Sequence, residues 1–119
     1  MKKILIIDDD QGILEAVKAI LEYGGFAVEI TDNSEYLEGV SKEDLPSVVL
    51  LDLLLSGKDG KEIAKKIKSK DKTKNIPIIM LSAHSTAAEA AKEAGVEAFI
   101  PKPFDMNELL EVVNKFAKS

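Results

Sequence analysis

The chain has 119 residues, 45% of them hydrophobic and 31% charged, with a formal net charge of −5, which suits one domain with a real core and leaves too little for two. No cysteine and a single histidine, His84, exclude disulfides, thiolate metal sites and multi-histidine zinc centres. The acidic balance argues against nucleic-acid binding, which needs clustered positive charge, and no apolar run approaches the roughly 20 residues of a membrane span. Met-Lys-Lys leads directly into an apolar block, so neither signal peptide nor membrane anchor is expected, and the lack of cysteine fits a cytoplasmic protein.

In chain order, short apolar blocks alternate with amphipathic stretches. Residues 3–8 (KILIID) read as a strand, and 11–23 as a helix with Ile13, Val17, Ile20 and Leu21 on one face, closed by Gly24-Gly25. Residues 26–31 alternate like a partly exposed strand, and Ser34 is placed to cap a helix over 35–42. After Leu45-Pro46 comes a strand at 48–52 (VVLLD), apolar throughout until Asp52, as a strand buried on both faces should be. Asp59-Gly60 opens a lysine-rich helix running to about residue 70 with Ile63, Ala64 and Ile67 inward. Residues 58–74 hold eight of the sixteen lysines, and the chain has no arginine. Bidentate phosphate clamps favour arginine, so the run reads as a solvated helix face. A buried strand follows at 76–81, then an alanine-rich helix from about 86 to 94 closed by Gly95. A short strand at 98–100 precedes Pro101-Lys102-Pro103, and Asp105 with Glu108 makes a capping box for a last helix whose inner face is Met106, Leu109, Leu110, Val113 and Phe116. The pattern is a (βα)5 chain with a parallel sheet and right-handed crossovers, 1–119 forming a single domain.

If the strands all point one way, their ends share one rim. The first ends at Asp8, with Asp9 and Asp10 next; the third ends at Asp52; the fourth runs into Ser82 and the fifth into Lys102. Crowded carboxylates at neutral pH need shifted pKa values or a cation. Hard oxygen ligands with open water positions suit Mg²⁺. Asp10 directly precedes a helical pattern and reads better as its cap.

IIDDD at 6–10, LLDLLLSGKDG at 50–60, MLSA at 80–83 and PKPF at 101–104 resemble the four signature blocks of the two-component receiver (response regulator) domain, chemotaxis receivers included. The resemblance runs from Lys3 to Phe116, with the blocks in the family's order. It implies a flavodoxin-like, doubly wound sheet of five parallel strands in the order 2-1-3-4-5. It also implies a phosphoacceptor switch that catalyses its own phosphorylation and dephosphorylation, not a classical enzyme. Asp52 would be the phosphoacceptor; Asp9, Asp52 and the Leu54 backbone carbonyl would hold Mg²⁺ directly, and Asp8 mainly through a bound water. Lys102 and Ser82 would contact the phosphoryl oxygens. Ser82 and Phe99 would be the switch pair, and Leu54 and His84, each two residues past a site residue, would tune hydrolysis. The implied partners are a sensor histidine kinase or phosphotransfer domain, and an output protein or fused output domain. The signal would leave by the face of the fourth and fifth helices and fifth strand, with no nucleic acid or membrane bound by this domain.

Four features depart from the family's usual pattern. Ser56 stands where many members have proline, and Ser82 where threonine is commoner. Ser82 to Lys102 is 20 residues, short for the family, so the fourth helix or its leading loop should be trimmed. The last helix lacks the arginine of transcription-factor dimers. Three rival readings remain. A haloacid-dehalogenase-like phosphatase would use Asp8 as nucleophile but leave Asp52 unexplained. A flavin site would need a hydroxyl- and glycine-rich first loop, and this one is acidic. The third is a receiver-like interaction module that is never phosphorylated.

Overall fold

The computed structural model describes residues 2–8, 11–33, 35–52, 54–55, 58–82, 87–101 and 104–117, with backbone alone at 11, 13, 52, 54–55, 58–59, 87–88 and 90–91. Five strands form the main sheet: β1 (Lys3–Ile7), β2 (Ala27–Thr31), β3 (Val48–Asp52), β4 (Ile78–Ser82) and β5 (Ala98–Pro101). All neighbours pair in parallel, in the order β2-β1-β3-β4-β5, which is the flavodoxin-like order expected. Four α-helices connect or flank them: α1 (Gln11–Tyr23), α2 (Gly60–Ser69), α3 (Ala87–Ala94) and α4 (Met106–Phe116).

The strand sequences explain the layering. In β1 and β3, Ile4, Ile6, Val48 and Leu50 face the α1 and α4 side, with Leu14, Val17, Leu21, Leu109 and Val113. Leu5, Ile7, Val49 and Leu51 face the other side, with Ile63, Ala64, Ile67 and Ala94 of α2 and α3. Because successive side chains alternate, a strand between two helical layers must be apolar on both faces, and these are, from Ile4 to Ile7 and from Val48 to Leu51. Gly25 (φ 92°) and Gly95 (φ 76°) take left-handed conformations where α1 and α3 end, as glycine does without penalty. Gly24 serves a different need: a Cβ there would lie 2.6 Å from Leu110 Cδ2, so its missing side chain lets α4 approach the end of α1.

Two expectations fail. No α-helix forms over 35–42; the chain makes two 3₁₀ turns, Tyr36–Gly39 and Lys42–Asp44. Leu37 is the only buried residue of these turns, so there is no repeated apolar stripe to hold a helix on the sheet. Gly39 and Val40 interrupt what remains, and local side chains hold the turns: Asn33 Oδ1 captures the Glu35 backbone N–H at 2.9 Å, and Ser41 Oγ donates to the Asp44 side chain at Oδ2, 2.8 Å away. Met106, expected inside, is exposed, since it lies in the first turn of α4, outside the Leu109–Val113 stripe. The α4 cap is as expected, with Asp105 Oδ1 accepting from Glu108 N at 2.7 Å.

The lysines of α2, and Lys70 just after it, do more than face solvent. Lys66 and Lys70 pair with Glu38 of the first 3₁₀ turn, Lys61 with Glu93 of α3, and Lys68 with Glu97 ahead of β5. The helix is thus tied by charge to the segments on both its flanks.

Candidate functional site

The parallel register fixes what meets at the carboxyl-end rim. Ile7 pairs with Leu51 and Asp52 with Leu81. Asp8 therefore lies one residue past the last β1–β3 pair, next to Asp52 across a single interstrand spacing of about 4.8 Å. Ser82 follows Leu81 and pairs with Pro101, so β4 and β5 end at the same rim, immediately before Lys102. Ligand crevices in open α/β sheets form beyond the carboxyl ends of strands, and β1 and β3 flank the point where the chain's crossovers change direction.

Asp8 is 1% exposed, and its backbone N–H donates to Thr31 O at 3.1 Å, which anchors the end of β1 to β2. Ser82 is 4% exposed, the last residue of β4. A carboxylate this well buried is retained only when hydrogen bonds, an ion partner or a metal stabilises it. Past Asp52 the chain turns back on itself: Leu54 and Leu55 pair antiparallel with Asp59 and Lys58, and Gly60, buried, begins α2. The hairpin keeps the Leu54 backbone close beyond the end of β3. Phe99 pairs with Met80 in register and is half-buried against the core beneath α2 and α3.

Asp9, His84 and Lys102, together with Ser56, lie outside the described residues, and for Asp52 and Leu54 the backbone alone is described. The rim therefore unites the described positions Asp8, Asp52, Leu54 and Ser82. The donor set fits a hard divalent cation: a buried carboxylate and a second acidic residue on adjacent strand ends, beside a backbone carbonyl, supply oxygen ligands of the kind Mg²⁺ takes. What sequence reasoning missed is the Lys61–Glu93 contact between α2 and α3, because nothing in a single sequence pairs two charges 32 residues apart.

The family model for the response regulator receiver domain matches residues 4–114. Response regulator MprA of Mycobacterium leprae is 34% identical over 111 residues, a match covering 91% of this chain and 47% of the relative. This chain thus spans about half the length of the curated relatives it matches. Among solved structures, a response regulator from Chloroflexus aurantiacus superposes with a TM-score of 0.89 at 30% identity, covering 98% of this chain and 97% of that one. The receiver domain of sensor histidine kinase PA1611 from Pseudomonas aeruginosa, solved with magnesium coordinated in its active-site cleft, has the same fold, with a TM-score of 0.87 at 22% identity over 99% and 98% of the two chains. With its strand order, its rim of acidic and hydroxyl residues and a family match over nearly its full length, the chain belongs to the response regulator receiver domain family.

Proposed function

We propose that Asp52 accepts a phosphoryl group from a phosphohistidine on a sensor kinase or phosphotransfer domain. The observation that supports this most directly is the register that sets Asp8, Asp52 and Ser82 on three adjacent strand ends. A carboxylate oxygen of Asp52 attacks phosphorus; the P–N bond breaks and its electron pair stays on the imidazole, leaving an acyl phosphate. Asp9, Asp52 and the Leu54 carbonyl would hold Mg²⁺ directly and Asp8 mainly through a bound water, the same cation that the Pseudomonas aeruginosa receiver carries in its cleft. When bound, the cation neutralises charge on the carboxylates and on the transferring oxygens. Lys102, the residue after Pro101 in the sequence, would offset further charge, and the Ser82 hydroxyl would donate to a phosphoryl oxygen.

The new group adds about two negative charges and three acceptor oxygens. Ser82 is drawn toward it and Phe99 turns with β5, so the face of α3, α4 and β5 changes for an output protein or a fused output domain. Leu54 and His84, two residues past Asp52 and Ser82 in the sequence, would set how fast water removes the phosphoryl group. The whole unit, 1–119, acts as one receiver, a switch that promotes its own phosphorylation and dephosphorylation.

The test is incubation with Mg²⁺ and a small acyl phosphate, read by intact mass. The expected result is one adduct of ~80 Da, the mass of one added phosphoryl group, absent from Asp52→Asn and dependent on the cation. An adduct formed equally well by Asp52→Asn would remove the assignment. Turnover of a phosphomonoester that needs Asp8 and ignores Asp52 would favour the phosphatase reading instead.

A further inference from the structure

Residues 35–45, between β2 and β3, lie beside α2 with Leu37 as their sole buried residue. Tyr36 and Leu45 reach the same core only in part. Gaps flank the segment on both sides. A cavity of about 30 Å³, room for water, is lined by Leu37 and Glu38 together with Ile67, Lys70 and Thr73. On the other flank an open cleft of about 550 Å³ lies among Tyr36, Ser41, Asp44, Lys3 and Glu29. The backbone hydrogen bonds of the segment are local: Tyr36 N donates to Asn33 O, Glu38 N to Glu35 O, Val40 N to Leu37 O and Asp44 N to Ser41 O. None of these reaches the sheet, so lifting the segment breaks no ladder bond. Charge and polar contacts tie it down instead. Glu38 takes Lys66 and Lys70, Glu35 takes Lys66 at 3.7 Å, and Lys72 Nζ donates to Glu38 O at 3.3 Å. Tyr36 donates to Glu29, and Asp44 O accepts from Lys3 Nζ at 3.2 Å.

We infer that residues 35–45 form a strap, hinged at the ends of β2 and β3 and latched to α2 by Glu38, that opens as a unit while the sheet stays folded. Segments held by few buried contacts open at lower free energy than the core they cover. The latch is a set of partly exposed ion pairs, so salt loosens it. The body is held by apolar layers on both faces of the sheet, which screening does not weaken. Open, the strap uncovers part of the apolar layer that Leu37 shares with Leu5, Ile7 and Val49. The inference goes beyond the phosphoacceptor reading and does not rest on it, since the strap uses no residue of the rim.

Two measurements test the strap. The chain has no cysteine, so one introduced at a buried position is the sole target of a thiol reagent. In Leu37→Cys, labelling relative to a cysteine peptide at the same salt should speed about two- to five-fold between low salt and about 1 M sodium chloride, the range that exposed ion pairs allow. Adding Glu38→Gln should give a rise of that size at low salt and remove most of the salt response. Val17→Cys, in α1 at a position 1% exposed, should label slowly and respond to neither change. Equal labelling with and without Glu38→Gln overturns the latch. A Val17→Cys that speeds in step with Leu37→Cys overturns the strap, because whole-molecule unfolding then accounts for both. Since Leu37→Cys itself weakens the anchor, the second measurement is amide exchange in the parent chain. Exchange at 38, 40 and 44 should outpace Val49, whose N–H donates to Pro77 O, and should quicken together as salt rises. Exchange at those three amides as slow as at Val49, or unmoved by salt, overturns the strap.

Discussion

Thr73 is one of three polar residues buried in the described chain, and it shows how a single hydroxyl holds a helix end. Its Oγ donates to Ile67 O at 2.6 Å, satisfying a carbonyl in the last turn of α2 that has no intrahelical partner of its own. Thr73→Val keeps the shape and removes the donor, leaving that carbonyl desolvated. The expected loss is about 1–2 kcal/mol, read as a lower urea midpoint with an unchanged slope. Asp8 and Ser82, the other two, stand at strand ends on the functional rim. They were legible in the sequence for the same physical reason: an apolar strand that stops at a polar residue advertises where the sheet opens. Thr73 was not, because nothing in the run of polar residues from 69 to 75 tells which one turns inward.

At the scale of elements, the strands and α1, α2 and α4 follow from periodicity, and the segment from 33 to 46 does not. A cap residue and several helix formers stand there, but one buried leucine cannot anchor two turns. The fastening comes from side chains instead. Tyr36 donates its hydroxyl to Glu29 of β2, Lys3 Nζ reaches Asp44 O at 3.2 Å, and Glu38 collects Lys66 and Lys70. These contacts shift titrations. The Tyr36 hydrogen bond, helped by Lys3, holds the Glu29 carboxyl below its ordinary range, and Lys70, then Lys66, does so for Glu38. The Glu29 hydrogen bond pushes the Tyr36 hydroxyl up. A carboxyl lowered in the folded state stabilises it above the unfolded value of about 4.3, and that contribution is lost as pH falls through the folded value. A tyrosine raised in the folded state contributes below about 10, and its share is lost as pH rises through the folded value. Stability should therefore be level from about pH 6 to 9 and fall on both sides. In Tyr36→Phe the alkaline fall should shrink and the acid fall weaken. Urea midpoints measured across pH in the two proteins check this, and identical profiles would exclude the Tyr36–Glu29 contact as the cause.

At the scale of the whole molecule, the sheet order came from resemblance and not from spacing, since alternating strands and helices fit more than one winding. The register then did what no motif could do, placing residues 8, 52 and 82 side by side. Among the described residues no helix is long and apolar enough to cross a membrane. The lysine run does face solvent, with Lys65, Lys66, Lys72 and Lys74 exposed, but Lys61, Lys66 and Lys70 also tie this stretch to α3 and the first 3₁₀ turn, a relation that only the folded chain contains.

Because the rim is assembled from strand ends up to 74 residues apart in sequence, it has no existence in any fragment or partly unravelled form. Phosphoryl uptake should therefore behave as a reporter of intact protein. Titrated with urea, the fraction of molecules able to take a label from an acyl phosphate should fall along the same curve as the far-ultraviolet circular dichroism, midpoint on midpoint. A label lost well before the ellipticity would mean that the reactive corner melts ahead of the body that supports it.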